Sequence, residues 1–224
     1  MARRLCKLPE YILNIHFNTS AFMLKVAKDK FTLGLELPTD PRWIGIAQKN
    51  IKDILVDHAY CEQKAASSCI SLIVQHSDRE KLVEMLAPVV KEEWEHFERV
   101  LAELKKRGYA LGPQRKDEYV EELTKFIKKG GSKEQHLVEK LLLNALIEAR
   151  SCERFKILWK TIPDKDLAEF YHELMISEAG HYKCFLHLAK EYLPEETVME
   201  RWEEWLEHEA QLMKRLEVRG DRIH

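Results

Sequence analysis

The stretches EEWEHF (residues 92–97) and SEAGHY (residues 177–182) decide the fold, because each contains a glutamate followed three positions later by a histidine. Residues three apart lie on the same face of a helix, one above the other. Each stretch therefore predicts a helix that presents a carboxylate and an imidazole side by side. The pairs are Glu93 with His96 and Glu178 with His181.

A lone glutamate precedes each pair at nearly the same distance. Glu62 lies 31 positions before Glu93, and Glu148 lies 30 positions before Glu178. Four carboxylates and two histidines from four helices form the ligand set with which ferritin-like bundles bind two iron or manganese ions. Because the arrangement occurs twice in register, it predicts a di-metal site with the ligands Glu62, Glu93, His96, Glu148, Glu178 and His181.

Apolar residues recur at steps of three and four over most of the chain, which is the period of amphipathic helices. Four long helices are predicted, at residues 42–76, 78–107, 132–159 and 163–192, followed by a fifth at 195–219. A short helix near residues 117–128 lies within the long crossover between the second and third. The predicted fold is all-α: a ferritin-like four-helix bundle with an additional C-terminal helix.

A chain of 224 residues suits a single domain. Within it, residues 1–40 are predicted to form an extension that packs on the bundle of residues 41–192. Leu8–Ala27 suits a helix in two pieces, and the alternation of Phe31, Leu33, Leu35 and Leu37 predicts an extended stretch. Asp40 before Pro41 predicts the start of the first long helix, with the aspartate as capping residue.

The composition is typical of a soluble helical protein and argues against a disordered or all-β chain. Hydrophobic residues make up 45% and charged residues 33%, with eight glycines and seven prolines. No apolar run approaches the roughly 18 residues that cross a bilayer, and no secretory signal is evident, so a membrane span is not expected. The five cysteines include no Cys-x-x-Cys pair and suggest reduced thiols in a cytoplasmic protein.

The predicted ligands lie within the apolar stripes of their helices. Burying an unpaired carboxylate costs several kcal/mol, so buried glutamates need compensating positive charge. Two divalent cations would balance four carboxylates. The alternative is pairing with arginine or lysine, but Lys64 and Arg150, two positions after the lone glutamates, lie off the stripes and are poor candidates.

Several residues compete with this set. Glu153 is a rival to Glu148, because its own row on the helix is also apolar, and only the repeated spacing favours Glu148. Glu169 with His172 and Glu204 with His208 are interpreted as surface pairs, and Glu92 and Glu95 lie off the stripe. His58, one turn before Glu62, is interpreted as a core histidine, with orientation of the carboxylate as the alternative. Cys61 is expected to be a packing residue.

Oxygen and nitrogen ligands without thiolate favour iron or manganese, whereas zinc prefers a smaller tetrahedral set. Six protein ligands for two metal ions leave coordination positions open. Open positions on reduced iron allow dioxygen to bind, so the expected chemistry is oxidation.

Five stretches of this chain resemble one family within the ferritin-like class, the MiaE-type tRNA hydroxylases. They are LPTDPRW (37–43), DHAYCEQKAASS (57–68), EEWEHF (92–97), EARSCERF (148–155) and SEAGHY (177–182). The resemblance implies a non-haem di-iron monooxygenase that uses dioxygen to hydroxylate the isopentenyl group of 2-methylthio-N6-isopentenyladenosine, next to the tRNA anticodon. It also implies that the six residues above bind the iron. A separate reductase is expected as electron donor, since no glycine-rich dinucleotide motif is present.

A tRNA substrate would give the basic residues of the crossover side a role as phosphate contacts at the anticodon stem-loop. The candidates are Arg107, Arg115, Lys116, Lys128 and Lys129. Taken alone, such clusters are more often solvated helix faces, and the formal net charge of −2 does not favour nucleic acid.

Two other functions remain open from the sequence. A quinone-ring hydroxylase of the ferritin-like class would need an exposed apolar helix for membrane docking, and the helix of Trp202 and Trp205 is an acidic candidate. An iron-binding or peroxide-scavenging protein would use the same ligands without an organic substrate. The lack of paired Cys-x-x-Cys motifs weighs against a rubrerythrin.

Overall fold

The computed structural model describes residues 33–224, in which every regular element is a helix. Four of the helices are long and three are shorter. In chain order they are α1 (Arg42–Lys49), α2 (Ile51–Gln75), α3 (Glu80–Lys106), α4 (Glu118–Thr124), α5 (Lys133–Thr161), α6 (Lys165–Tyr192) and α7 (Glu195–Arg215). The predictions for Leu8–Ala27 and for Phe31 lie outside the described residues.

Helices α2, α3, α5 and α6 form the predicted bundle. Short turns make α2 with α3 and α5 with α6 into antiparallel hairpins, and α3 packs against α6. The crossover between the hairpins contains α4, and α7 packs on α5 and α6. Hairpin, crossover and hairpin follow in the order that the sequence predicts, so the all-α fold is confirmed.

Two apolar clusters fill the interior. One surrounds Leu86, Leu142 and Phe185, and the other surrounds Ile54 and Phe155. The predicted metal ligands belong to neither cluster, and they lie at intermediate positions along the same four helices. The bundle therefore has a buried polar layer between two apolar layers.

Helix ends follow the local capping chemistry. At the start of α5, the Ser132 hydroxyl accepts a hydrogen bond from the Gln135 N–H, and the Gln135 side chain accepts one from the Ser132 N–H. This reciprocal pair satisfies two N–H groups that the first turn leaves free. At the start of α6, the Asp164 side chain accepts hydrogen bonds from the N–H groups of Asp166 and Leu167, without a reciprocal bond.

The predicted single helix over residues 42–76 is wrong, because the structure divides it at Asn50. Asn50 has φ −124° and ψ 34°, and its N–H bonds the Ala47 carbonyl. Its side-chain amide also donates to the Ile46 carbonyl at 2.8 Å. Asparagine side chains compete with the helix for backbone partners in this way, which explains the break.

The extended stretch predicted for Leu33–Leu37 is also wrong at its start. Leu33 has φ +46° and Gly34 has φ +89°, which places a turn there. The start predicted at Asp40 is close to the observed one: its side chain accepts from the Arg42 N–H at 2.8 Å, while Pro41 occupies the capping position. No helix within residues 33–224 has the length and apolar character of a membrane span.

Candidate metal centre

Each long helix contributes to the polar layer. Glu62 lies on α2, Glu148 lies on α5, and the two Glu-x-x-His pairs lie on α3 and α6. All six side chains are buried, although ionisable groups are rarely buried without a partner. The structure thus brings together every residue of the predicted ligand set.

The six side chains form two groups that share two members. One group contains Glu62, Glu93, His96 and Glu178, and the other contains Glu93, Glu148, Glu178 and His181. Within each group, one potential ligand atom per residue lies within 4.8 Å of the others. Two neighbouring metal positions would therefore be bridged by Glu93 and Glu178, each with one terminal glutamate and one histidine.

Several donor atoms of the polar layer are left without a hydrogen bond of good geometry. His96 Nδ1, Glu93 Oε1 and Glu178 Oε1 are buried, and none makes a hydrogen bond of good geometry, although His181 Nδ1 lies 2.7 Å from Glu93 Oε1. His96 Nδ1 lies 3.3 Å from Glu178 Oε1 and 3.4 Å from Glu62 Oε2, within ion-pair distance but without hydrogen-bond geometry. A buried polar atom without a partner costs about 1–3 kcal/mol. Oxygen and nitrogen donors left without partners fit two divalent cations.

The buried carboxyl groups differ in how firmly they hold protons: burial opposes the charge of Glu178, but contacts with His181 and His96 outweigh it and hold its pKa well below the usual value. Burial raises the pKa of Glu93 to about 7, with a further contribution from Glu178. Burial also raises the pKa of Glu148 well above its usual value, and Glu178 and Glu93 add to the effect. Burial lowers the pKa of His181, but Glu93 and Glu178 outweigh it and raise that pKa well above its usual value. Metal ions would compete with protons for these buried donor groups.

His58 contacts the ligand set directly. Its Nε2 lies 2.6 Å from Glu62 Oε1, and burial lowers the pKa of the imidazole to about 3. A neutral His58 with its proton on Nε2 donates a hydrogen bond to Glu62 and orients that carboxylate. The two interpretations offered by the sequence, core histidine and orienting group, both apply, because His58 is also packed between the rings of Phe155 and Tyr171.

Glu92 is the residue that the sequence analysis missed. It lies off the apolar stripe, yet its Oε2 is 2.9 Å from His181 Nε2. The contact joins α3 to α6, so no pattern within one helix could reveal it. The available signal was the combination of an acidic residue beside Glu93 with the antiparallel packing of α3 and α6.

The structure places Glu148 and Glu153 in different surroundings. Glu153 accepts hydrogen bonds from the Thr39 N–H at 2.8 Å and from the Arg150 guanidinium at 2.8 Å. Arg150 is fully buried and also pairs with Glu209 at 2.6 Å. Arg150 thus pairs with carboxylates outside the ligand set, and Glu153 belongs to a second buried network. Lys64 likewise bonds Asp117 instead of a ligand.

The other candidates lie apart from the polar layer. His172 bonds Glu169 at 3.2 Å and stacks on Trp159 near the surface. Cys61 lies 3.8 Å from His224 Nδ1, beside the returning end of the chain. The predicted pairing of Glu204 with His208 is wrong: Glu204 bonds Lys128 and Arg201, while His208 stacks on Phe126.

Four of the five residues proposed for tRNA contact bond acidic side chains. Arg107 bonds Glu103 and Asp164, and Arg115 bonds Asp221. The ammonium groups of Lys116 and Lys128 pair with Glu121 and Glu204, and Lys129 is exposed. Their role towards tRNA stays a prediction.

Known proteins resemble this chain over most of its length. A family model described as "tRNA-(MS[2]IO[6]A)-hydroxylase (MiaE)" matches residues 26–224. A relative from Pseudomonas putida, named tRNA 2-(methylsulfanyl)-N(6)-isopentenyladenosine(37) hydroxylase, is 39% identical over 70% of this chain and 76% of its own length. A relative of the same name from Salmonella typhimurium is 28% identical over 72% of this chain and 77% of its own length.

A solved structure shares the fold. It is described as protein 43 with aldehyde deformylating oxygenase activity, from Synechococcus, and it matches with a TM-score of 0.80 and 35% identity. The match covers 85% of this chain and 94% of that one. The four-helix architecture around the polar layer is therefore that of a ferritin-like oxygenase.

Proposed function

Since the chain belongs to the MiaE family of tRNA hydroxylases, we propose that it hydroxylates the isopentenyl group of 2-methylthio-N6-isopentenyladenosine next to the anticodon of tRNA. We propose that the reaction consumes dioxygen at a di-iron centre. The centre would be held by Glu62, Glu93, His96, Glu148, Glu178 and His181.

One observation carries the proposal: two buried four-residue groups share Glu93 and Glu178. The two shared carboxylates would hold two metal ions in neighbouring positions, as the carboxylates of ferritin-like di-iron proteins do. When bound, the two ions would supply electrons to dioxygen and generate the oxidant for a C–H bond. Oxygen and nitrogen donors without thiolate suit iron in this role.

The protein's own residues prepare the site for that chemistry. His58 orients Glu62 through a 2.6 Å contact, and Glu92 orients His181 through a 2.9 Å contact. The apolar layers on both sides exclude water from the interior, which protects a reactive oxidant from side reactions. Glu93, whose pKa is raised to about 7, would release its proton as metal binds.

The stoichiometry of the reaction implies further partners. Hydroxylation by dioxygen places one oxygen atom in the product and reduces the other to water, which consumes two electrons and two protons. We propose that a separate reductase or electron-transfer protein supplies the electrons. The substrate would be the anticodon stem-loop of tRNA, with Arg107, Arg115, Lys116, Lys128 and Lys129 as candidate phosphate contacts, and the reaction would take place in the cytoplasm, where tRNA is found.

The proposal is tested by reconstituting the full chain with ferrous iron, adding a reductant and dioxygen, and supplying tRNA that carries the isopentenyl modification. Nucleoside mass spectrometry should show a gain of one oxygen atom on the modified adenosine. A matched reaction with Glu178→Ala should give none, because that variant removes a bridging ligand from both groups. If the iron-loaded, reduced chain adds no oxygen atom to the modified adenosine, the proposal is contradicted.

The same preparation tests the alternatives. A long-chain aldehyde is included because the structural relative is described as having aldehyde deformylating oxygenase activity. A quinone precursor and hydrogen peroxide test ring hydroxylation and peroxide scavenging. If the chain converts one of these three compounds and leaves tRNA unchanged, the corresponding function replaces tRNA hydroxylation.

A further inference from the structure

The ligand set repeats between the two halves of the chain, but the groups that contact it do not. Glu92 directly precedes Glu93 on α3 and contacts His181 on α6. The equivalent position before Glu178 on α6 is Ser177, a neutral residue. The histidine on α3 therefore lacks the acidic neighbour that the histidine on α6 has.

The two imidazoles differ accordingly. His181 presents Nδ1 to the interior, 2.7 Å from Glu93 Oε1, and Nε2 to Glu92 at 2.9 Å. His96 presents Nδ1 to Glu62 and Glu178. Within residues 33–224, no carboxylate lies within ion-pair distance of the other ring nitrogen of His96.

The lone glutamates differ in a similar way. His58 lies four positions before Glu62 and contacts its carboxylate at 2.6 Å. The equivalent residue before Glu148 is Asn144, whose side-chain oxygen accepts from the Ser68 hydroxyl at 3.1 Å. At the position of Glu62 and His96, the neutral His58 contacts the glutamate. At the position of Glu148 and His181, the carboxylate of Glu92 contacts the histidine.

We propose that the two metal positions are inequivalent, and that Glu92 makes the position of His181 and Glu148 the tighter one. A carboxylate that accepts the outer N–H of a ligating histidine fixes the ring and leaves the inner nitrogen free to bind metal. It also makes that nitrogen more basic, and such contacts contribute about 10–100-fold in metal affinity. The inference rests on the di-metal centre proposed above, and Glu92 acts as a positioning residue through His181.

The test is a titration of the metal-free full chain with Co(II), followed by visible absorption and by equilibrium dialysis. The unmodified chain should take up two equivalents in two steps. Glu92→Ala should weaken the tighter step about 10–100-fold and leave the weaker step unchanged. Glu92→Gln keeps an acceptor oxygen without the charge, so its loss should be smaller, and Glu92→Asp should recover part of the affinity.

Glu95→Gln is the matched control. Glu95 lies on the same helix and pairs with Lys91 at the surface, so removing its charge should leave both steps unchanged. Glu92 has a side chain that is 31% exposed, and thermal denaturation of the metal-free variants separates any loss of stability from a loss of metal affinity. The Co(II) absorption spectrum at one equivalent should change in Glu92→Ala and stay constant in the control.

Two results would overturn this inference without affecting the proposed function. They are unchanged stepwise affinities in Glu92→Ala, or equal weakening of both steps. Either could be found in a chain that still binds two metal ions and hydroxylates tRNA. Failure of the unmodified chain to bind Co(II) would overturn the di-metal centre, and this inference with it.

Discussion

The two glutamates of α5 that compete in the sequence, Glu148 and Glu153, should respond to the same substitution in opposite ways. Replacing each with glutamine removes a charge and keeps the shape. Both side chains are buried, but they face different groups. Glu148 lies with Glu93, Glu178 and His181, whereas Glu153 belongs to the Arg150 network.

Glu148→Gln should affect metal and leave the metal-free fold intact. Burial and the neighbouring Glu178 raise the pKa of Glu148 well above its usual value, so the metal-free fold disfavours the charged form of this side chain. Glutamine has the same shape and no charge to bury, so the exchange should change the free energy of unfolding by less than about 1 kcal/mol. Only one of the two groups loses a ligand, so metal content should fall from about two ions to about one.

Glu153→Gln should affect the fold and leave the metal intact. Glu153 accepts from the Thr39 N–H and hydroxyl and from the buried Arg150 guanidinium. Breaking a buried ion pair costs about 3–5 kcal/mol. Glu209 still pairs with Arg150, and glutamine retains one acceptor oxygen. The expected loss is therefore smaller, about 2–3 kcal/mol.

The assays are urea denaturation of the metal-free variants at pH 7 and elemental analysis after iron loading and dialysis. Glu169→Gln is the matched control: its residue belongs to the surface Glu-x-x-His pair, so neither quantity should change. Full metal content in Glu148→Gln, together with loss of metal in Glu153→Gln, would refute the ligand assignment on α5.

Three further predictions concern the interior. Tyr171→Phe should leave stability unchanged or raise it by up to about 1 kcal/mol, because the Tyr171 hydroxyl is buried without a hydrogen-bond partner; a loss above about 2 kcal/mol in thermal denaturation would contradict this. Burial raises the pKa of Glu93 from its usual 4.5 to about 7, so the folded metal-free chain holds a proton that the unfolded chain loses first. Stability should then fall by up to about 3 kcal/mol as the pH rises from about 4.5 to 7, and a flat urea-denaturation series over that range would be contrary to the expectation. Arg150→Met should cost about 3–5 kcal/mol, since it leaves Glu153 and Glu209 buried without their cation, while iron content stays the same.

The ligand set was predictable from the sequence because helical geometry links spacing to position. A Glu-x-x-His pair needs only one helix to bring its two side chains together, and the apolar residues around it show which face is buried. The repeat of Glu62 with Glu93 and of Glu148 with Glu178 then predicted that four helices converge at one level. The structure brings these side chains together in that layer.

Contacts between helices were not predictable, because they depend on how the helices are rotated and paired. On the helical wheel of α3, Glu92 lies outside the apolar face, and only the antiparallel packing of α6 places it against His181. Arg150 lies off the stripe of its own helix, yet it is fully buried, because α7 and the segment around Thr39 cover that face. The break at Asn50 arises from a local competition for hydrogen bonds that periodicity does not register.

The sequence by itself therefore determined the bundle, its connectivity and the identity of the buried donors, since these follow from the period of each helix, the repeated ligand spacing and the lengths of the connections. Tertiary structure alone decided which donors are shared between the two candidate metal positions and which charged residues contact the ligands from outside. Those relations join side chains far apart in the chain, and their distances are set by packing.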